Sequence, residues 1–125
     1  MKKIRRFEGA MSNPENKGKT FDELGINHTT FRAYRDCMEV GNELIDFNDV
    51  IWERDIPAIA ETLRVEEIKE FTISSTFSGL IETLAEFEKY GIKMNGLTEV
   101  NARYTDWSTG EYKKIPAIKM MIKEA

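Results

Sequence analysis

The chain has few of the residues that stabilise small extracellular or zinc-containing domains. Among its 125 residues there is one cysteine, Cys37, and one histidine, His28. A single thiol cannot form an internal disulfide, and one Cys with one His cannot complete the ligand set of a structural zinc ion. The three prolines in the chain argue against extensive disorder. A disulfide-linked or zinc-dependent fold is therefore excluded for the single chain.

Long hydrophobic runs are also missing. The longest apolar runs are a few residues, far below the roughly 20 residues that a membrane-spanning helix needs. The beginning, MKKIRRFEGAM, has the positive charge of a signal peptide without its apolar stretch. We expect a cytoplasmic protein without membrane contact. A length of 125 residues, 41% of them hydrophobic, fits one domain with a modest core.

The charge is distributed unevenly. Residues 1–20 contain six bases and two acids, a charge of +4, so the net charge of −4 leaves −8 on residues 21–125. Pro14 and Gly18 in the polar segment MSNPENKGKT indicate a connector. The sequence thus predicts a basic, flexible arm over 1–20 and one α/β domain over 21–125. The arm offers four candidates for binding nucleic acid, namely Lys2, Lys3, Arg5 and Arg6. Conversely, the acidic surface over 36–61 could mimic nucleic acid.

Three segments have the apolar periodicity of helices. The first covers 30–40, with Thr29 or Thr30 as its cap and Gly41 at its end, and the second covers 56–65, with Asp55 as its cap. The third starts directly after a strand, is capped by Ser75 or Thr76, and ends near Tyr90.

Four segments are typical of strands: LIDF (44–47), KEFTIS (69–74), LTEVNARY (97–104) and IPAIKMMI (115–122). Thr109 and Gly110 suit the loop of a C-terminal hairpin. Pro116 indicates that the fourth strand starts there or lies on a sheet edge, where it could add a partner's strand or form a homodimer. The expected fold is α/β or α+β, of order α-β-α-β-α-β-β, with helices packed on a small mixed four-stranded sheet.

Four longer segments carry a resemblance: NELIDFNDVIW, KEFTISSTFSGLIETLAEFEKYG, GLTEVNARYTDWSTGE and IPAIKM. Over residues 41–122 the chain resembles a family of short uncharacterised proteins from Firmicutes bacteria, commonly found on phages and other mobile elements. That family is a domain of unknown function, so the resemblance implies no activity. Residues 1–40 lie outside it.

A hydroxyl-rich segment follows the second predicted strand and contains Ser74, Ser75, Thr76 and Ser78. A helix N-terminus at this position would favour an anion, because its free N–H groups point outward. No P-loop or dinucleotide-binding pattern is present, since Leu80 follows Gly79 where a P-loop has lysine. Capping of the helix is the competing interpretation.

Acidic residues follow the first predicted strand. If the first two strands are parallel neighbours, Asp46, Asn48 and Asp49 approach the hydroxyl-rich segment, where open α/β sheets bind ligands. Their oxygens could hold Mg²⁺, the one cofactor that the sequence suggests, but no recognised metal-ligand spacing is present and Asp and Asn at these positions are more typical of a turn.

The hairpin supplies the candidates for a protein interface. Arg103, Tyr104, Trp107 and Tyr112 surround its end, and such residues are enriched at interface hot spots, although Trp107 could instead cover the small core. Trp52 is expected in the core. We expect no catalytic residue, since His28 precedes a helix in polar surroundings and Cys37 lies on a buried helix face.

The favoured interpretation is therefore a noncatalytic protein-interaction or regulatory module of a phage or mobile element. A nucleic-acid-binding accessory protein acting through its basic arm is one alternative. A small enzyme or ligand-binding protein using the loops after the first two strands is another.

Overall fold

The structure is a computed structural model and describes residues 7–8 and 27–123. Its helices are α1 (His28–Val40), α2 (Ile56–Val65) and α3 (Leu80–Glu88), and its strands are β1 (Asp46–Phe47), β2 (Glu70–Ile73), β3 (Ile92–Thr105) and β4 (Tyr112–Ile122). A 3-10 turn, Glu53–Asp55, precedes α2. The predicted element order and the mixed α/β class are confirmed. Phe7 and Glu8 are helical as well.

The four strands form one mixed sheet in the order β1-β2-β4-β3. β1 and β2 are parallel, whereas β4 runs antiparallel to both β2 and β3. The C-terminal hairpin is confirmed. β4 lies between β2 and β3, and β3 is an edge strand. The prediction that the fourth strand starts at Pro116 is wrong, because β4 begins at Tyr112, and the predicted edge position holds only for the part of β4 before Ile118, where β2 has ended.

Pro116 is accommodated in this inner strand because β2 is short. The pairing between β2 and β4 ends at Ile73 and Ile118. The N–H of Ile122 donates to the carbonyl of Lys69 at 2.8 Å, so every second N–H of β4 faces β2. Pro116 belongs to that alternating set, and its missing N–H lies just beyond the last pair, where no acceptor needs it.

The helix starts differ from the predicted ones. α1 begins after Asn27, whose side-chain oxygen accepts the N–H of Thr30 at 2.8 Å, so the cap is neither Thr29 nor Thr30. The Asp55 side chain makes no capping hydrogen bond to α2. α3 begins after Gly79, which has a φ of 93° and no side chain to cap with. Ser75 and Thr76 are therefore not its caps.

The core uses both faces of the sheet, with Phe47 and Phe71 buried on one face and Asp46 and Thr72 buried on the other. The rings of Phe47 and Phe71 meet edge to face with centroids 5.4 Å apart, and Phe87 of α3 lies 5.6 Å from Phe71. Against α1, the fully buried Phe7 makes edge contacts with Phe31 at 5.7 Å and Tyr34 at 5.3 Å. The core therefore includes a residue of the predicted arm. The rest of that arm, including Lys2, Lys3, Arg5 and Arg6, lies outside the described residues.

Within residues 7–8 and 27–123, no helix is long and apolar enough to cross a membrane.

Candidate functional site

A buried polar cluster centres on Asp46. Asp46 and Thr72 are register partners in β1 and β2, so their side chains share a sheet face. The Thr72 hydroxyl donates to Oδ1 of Asp46 at 2.6 Å, and the Ser74 hydroxyl donates to Oδ2 at 2.6 Å. Asp46 itself is fully buried. It lies within β1, as the predicted strand 44–47 has it, and not in the loop with Asn48 and Asp49.

Arg103 of β3 neutralises this carboxylate. Its Nη1 lies 3.1 Å from Oδ2 of Asp46, and its Nη2 donates to the Asp46 carbonyl at 2.9 Å. The Arg103 guanidinium group thereby binds both the side chain and the backbone of Asp46, although β3 and β1 are not neighbours in the sheet. With only 19% of its side chain exposed, Arg103 is not the surface contact that the sequence predicts. It is part of the internal framework.

Cys37 completes the cluster from α1. Its sulfur accepts the N–H of Asp46 at 3.0 Å and lies 3.6 Å from Nη2 of Arg103. Burial raises the pKa of this thiol above its ordinary value and outweighs the backbone hydrogen bond and the Arg103 charge, which lower it. The thiol is therefore neutral at physiological pH, in agreement with the predicted role of Cys37 as a buried residue.

We predict that native Cys37 resists thiol reagents. At pH 8 the folded protein should react with a disulfide reagent far more slowly than the urea-unfolded chain, because the thiol is buried and its pKa is raised. A thiol with a raised pKa also favours the folded state only while neutral, so stability should fall as the pH rises above about 8.5. Labelling rates followed by mass spectrometry test the predicted protection of the thiol, and equal labelling rates for the native and the unfolded chain would contradict it.

The loops after β1 and β2 converge as predicted. The Ser75 hydroxyl donates to the carbonyl of Asp49 at 2.9 Å, and Oδ1 of Asp49 accepts the N–H of Val50 at 2.8 Å. The first bond joins the two loops, and the second lies within the loop after β1, where the Asp49 side chain binds a neighbouring backbone group. Within residues 7–8 and 27–123, no group of three or more His, Cys, Asp or Glu side chains is placed to hold a metal ion.

Two clefts flank the Val50–Trp52 segment. Asn48 and Asp49 line one of about 240 Å³ together with α1, and Ser78 and Gly79 line another of about 390 Å³ at the start of α3. Trp52 borders both clefts and is 59% exposed, so its predicted core position is wrong. The guanidinium of Arg54 stacks over its ring at 5.8 Å.

The tip of the β3–β4 hairpin presents three exposed aromatic side chains, Tyr104, Trp107 and Tyr112. Trp107 is 96% exposed, so it does not fold back over the core.

The turn beneath Trp107 is held by hydrogen bonds. The N–H of Gly110 donates to the Asp106 carbonyl at 2.8 Å, and the N–H of Asp106 donates to the Glu111 carbonyl at 2.7 Å. Oδ1 of Asp106 accepts the hydroxyl of Ser108 at 2.6 Å and its N–H at 2.8 Å, and these bonds lower the pKa of Asp106. Gly110 has the positive φ, 76°, that the sequence predicts for this loop.

Comparisons with known proteins give one result. No curated protein and no solved structure matches the chain. A family described as "Domain of unknown function (DUF7698)" matches residues 29–122, so the match includes α1, which the resemblance left outside. The matched range holds the Asp46 cluster, both clefts and the hairpin tip, and the chain belongs to this family of proteins with a domain of unknown function.

Proposed function

We propose that the chain is a noncatalytic protein-interaction module that binds a partner protein through the tip of the β3–β4 hairpin. The observation that carries the proposal is Trp107, which is 96% exposed. Transferring a large indole ring from water into an apolar pocket is favourable, and tryptophan is among the residues most enriched at interface hot spots. Tyr104 and Tyr112 widen the same surface with side chains that combine apolar area and a hydroxyl.

The hairpin supports the proposal because it presents Trp107 on a structured turn. The Asp106 hydrogen bonds fix the backbone of the tip before any partner arrives. A surface that is ordered in advance loses less conformational entropy on binding. The expected partner therefore offers an apolar pocket for the indole, with polar groups at its rim for the tyrosine hydroxyls.

The Asp46 cluster supports a noncatalytic role. Both carboxylate oxygens of Asp46 accept hydrogen bonds from protein donors, and the nearby Cys37 thiol is buried and neutral. Such a cluster stabilises the fold and leaves no reactive group facing a substrate. The resemblance to proteins of mobile elements supports, as the biological setting, an accessory or regulatory factor acting in the cytoplasm.

Replacing Trp107 by alanine should weaken partner binding without unfolding the protein. The matched control is Trp52→Ala, which removes the other exposed tryptophan, at two clefts whose lining contains no residue of the hairpin tip. Tagged wild-type protein and both variants are used to capture partners from native host lysate, with and without nuclease. The captured partner is then titrated, and Trp107→Ala should weaken binding at least about tenfold, because hot-spot truncation typically costs about 2 kcal/mol or more.

The outcomes separate the alternatives. Equal binding by wild type and Trp107→Ala would contradict the hairpin as the docking surface. Partners that are lost with nuclease would favour the basic arm and nucleic acid, and the salt dependence of binding would then measure the number of phosphate contacts.

A further inference from the structure

The outer edge of β3 is open over its first half. β3 is the last strand in the order β1-β2-β4-β3, so only one of its sides pairs with another strand. Unpaired N–H and C=O groups on such an edge accept a further strand readily, and proteins usually protect them.

The contacts of Asn101 identify the backbone groups that face outward. The Asn101 N–H donates to Oδ1 of Asn42 at 2.7 Å, and Nδ2 of Asn42 donates to the Asn101 carbonyl at 3.1 Å. Asn101 thus directs both backbone groups away from β4. Because direction alternates along a strand, Glu99 and Leu97 direct theirs outward too.

Met94 belongs to the same outward set. Met94 pairs with Met120 of β4. Met120 lies two residues before Ile122, so it turns its backbone groups toward β2, as the Ile122 N–H does. Its partner Met94 therefore turns its own backbone groups away from β4. The register shift between Met94 and Leu97 inserts one extra residue at Asn95–Gly96, a β-bulge. The outward positions are therefore Met94 and Leu97 on either side of the bulge, followed by Glu99.

Apolar side chains accompany this open backbone. Met94 is 60% exposed and Leu97 is 78% exposed, and both share the sheet face of their buried or partly buried partners Met120 and Ile118. Asn42 satisfies the edge only at Asn101. In the part of the chain that the structure describes, no hydrogen bond reaches the outward groups of Met94, Leu97 or Glu99.

We propose that this edge binds the same edge of a second copy of the chain, with the two β3 strands antiparallel. A two-fold axis at the bulge places Met94 opposite the partner subunit's Leu97, and Leu97 opposite the partner subunit's Met94. Four exposed apolar side chains are then buried together, and the free backbone groups pair with equivalent groups. The result is one continuous sheet of eight strands.

The bulge selects a second copy over another strand. A straight strand that paired with β3 would lose its register at Asn95–Gly96, since two residues there oppose one. In the symmetric dimer the two bulges face each other, and the register holds on both sides. The free edge of β4 beyond Ile118 lacks this complementarity, because Pro116 removes a donor and Lys114 adds charge.

Sedimentation equilibrium of the full chain tests the proposal. Wild type should be a dimer, and the double variant Met94→Lys with Leu97→Lys should be a monomer with an unchanged circular dichroism spectrum. The matched control is Ile81→Lys, which replaces an exposed apolar residue on α3 and should remain a dimer.

A second variant, Glu99→Pro, removes the outward N–H of Glu99. No hydrogen bond to β4 is lost, because Glu99 pairs with Pro116 and, like Asn101 two residues later, directs its backbone groups away from β4. It should also be monomeric.

Hydrogen exchange separates strand pairing from any other dimer. The amides of Leu97 and Glu99 should become protected as protein concentration rises, and they should exchange freely in the double variant. A wild type that stays monomeric at millimolar concentration overturns the proposal. So does a dimer that survives Glu99→Pro and the double substitution, or one in which these amides stay unprotected. These results do not depend on the hairpin tip.

Discussion

Replacing Arg103 by alanine is expected to lower the free energy of unfolding by about 3–5 kcal/mol. The substitution leaves the fully buried Asp46 carboxylate without its positive partner, at a site that water does not reach. It also removes the hydrogen bond to the Asp46 carbonyl, which holds β1 to β3 across the sheet. Urea denaturation followed by tryptophan fluorescence measures the change.

An exposed ion pair provides the control. Nζ of Lys119 lies 2.9 Å from Oε2 of Glu70, but the two side chains are 35% and 38% exposed. Surface pairs of this kind contribute about 0–1 kcal/mol, so Lys119→Ala should change stability little. If the two alanine variants lost equal stability, the Asp46–Arg103 pair would not be acting as a buried charge pair. Arg103→Lys should fall between them, because it keeps the charge and loses the forked geometry.

The large effect of Arg103 matters because small domains have little stability in reserve. A domain of this size typically unfolds at a cost of about 5–15 kcal/mol. At the lower end of that range, a loss of about 3–5 kcal/mol would remove most of the free energy of unfolding.

Periodicity predicted the elements, while packing decided where they lie. Alternating Phe71 and Ile73, and the apolar face containing Ile59 and Leu63, identify β2 and α2 from sequence alone. Strand order does not follow from local pattern, because it depends on which edges meet. Pro116 correctly indicates a free edge at its own position, but it does not reveal that β4 becomes an inner strand from Ile118 onward, because a proline constrains only its own missing N–H.

The helix caps show the same limit of prediction from local sequence. Ser75 is a good helix cap by residue type, yet its hydroxyl binds the carbonyl of Asp49 across two loops. A side chain that can satisfy a backbone group locally or at a distance takes the partner that tertiary packing presents, and a single sequence does not reveal that partner.

The candidate site was predictable in part. Parallel pairing of the first two strands correctly brings the loop containing Asp49 near Ser75. The pairing of Asp46 with Arg103 was missed because 57 residues separate them and Arg103 lies beside aromatic residues that suggest an interface. The available signal was Asp46 itself, a carboxylate within the apolar segment LIDF, which a folded core tolerates only with a positive or hydrogen-bonding partner.

The two proposed surfaces lie at different places on one hairpin. Antiparallel pairing of β3 with the second copy directs the two hairpin tips away from each other. A dimer would then present two Trp107 surfaces on opposite sides, so a multivalent partner is bound more tightly than a single tip allows. The monomeric Glu99→Pro variant keeps the tip and should retain single-site affinity, which makes the two surfaces separable.

Phe7→Ala should also lower the free energy of unfolding by about 3–5 kcal/mol, as truncation of a buried phenylalanine typically does. Phe7 is fully buried and meets Phe31 and Tyr34 edge to face, so its removal leaves a cavity beneath α1. The neighbouring Glu8 accepts the Tyr34 hydroxyl at 2.6 Å, and this bond should survive if the cavity stays open. Chemical denaturation measures the loss.

Deletion of residues 1–6 is the matched control, because it removes the four basic side chains and leaves Phe7 in place. Its free energy of unfolding is measured beside that of Phe7→Ala. A Phe7→Ala variant as stable as wild type would contradict the packing of Phe7 in the core. The pair also makes the nucleic-acid alternative testable: deletion through residue 10 would remove the buried Phe7 as well and confuse unfolding with lost binding, whereas deletion of 1–6 removes the basic side chains and leaves Phe7 in place.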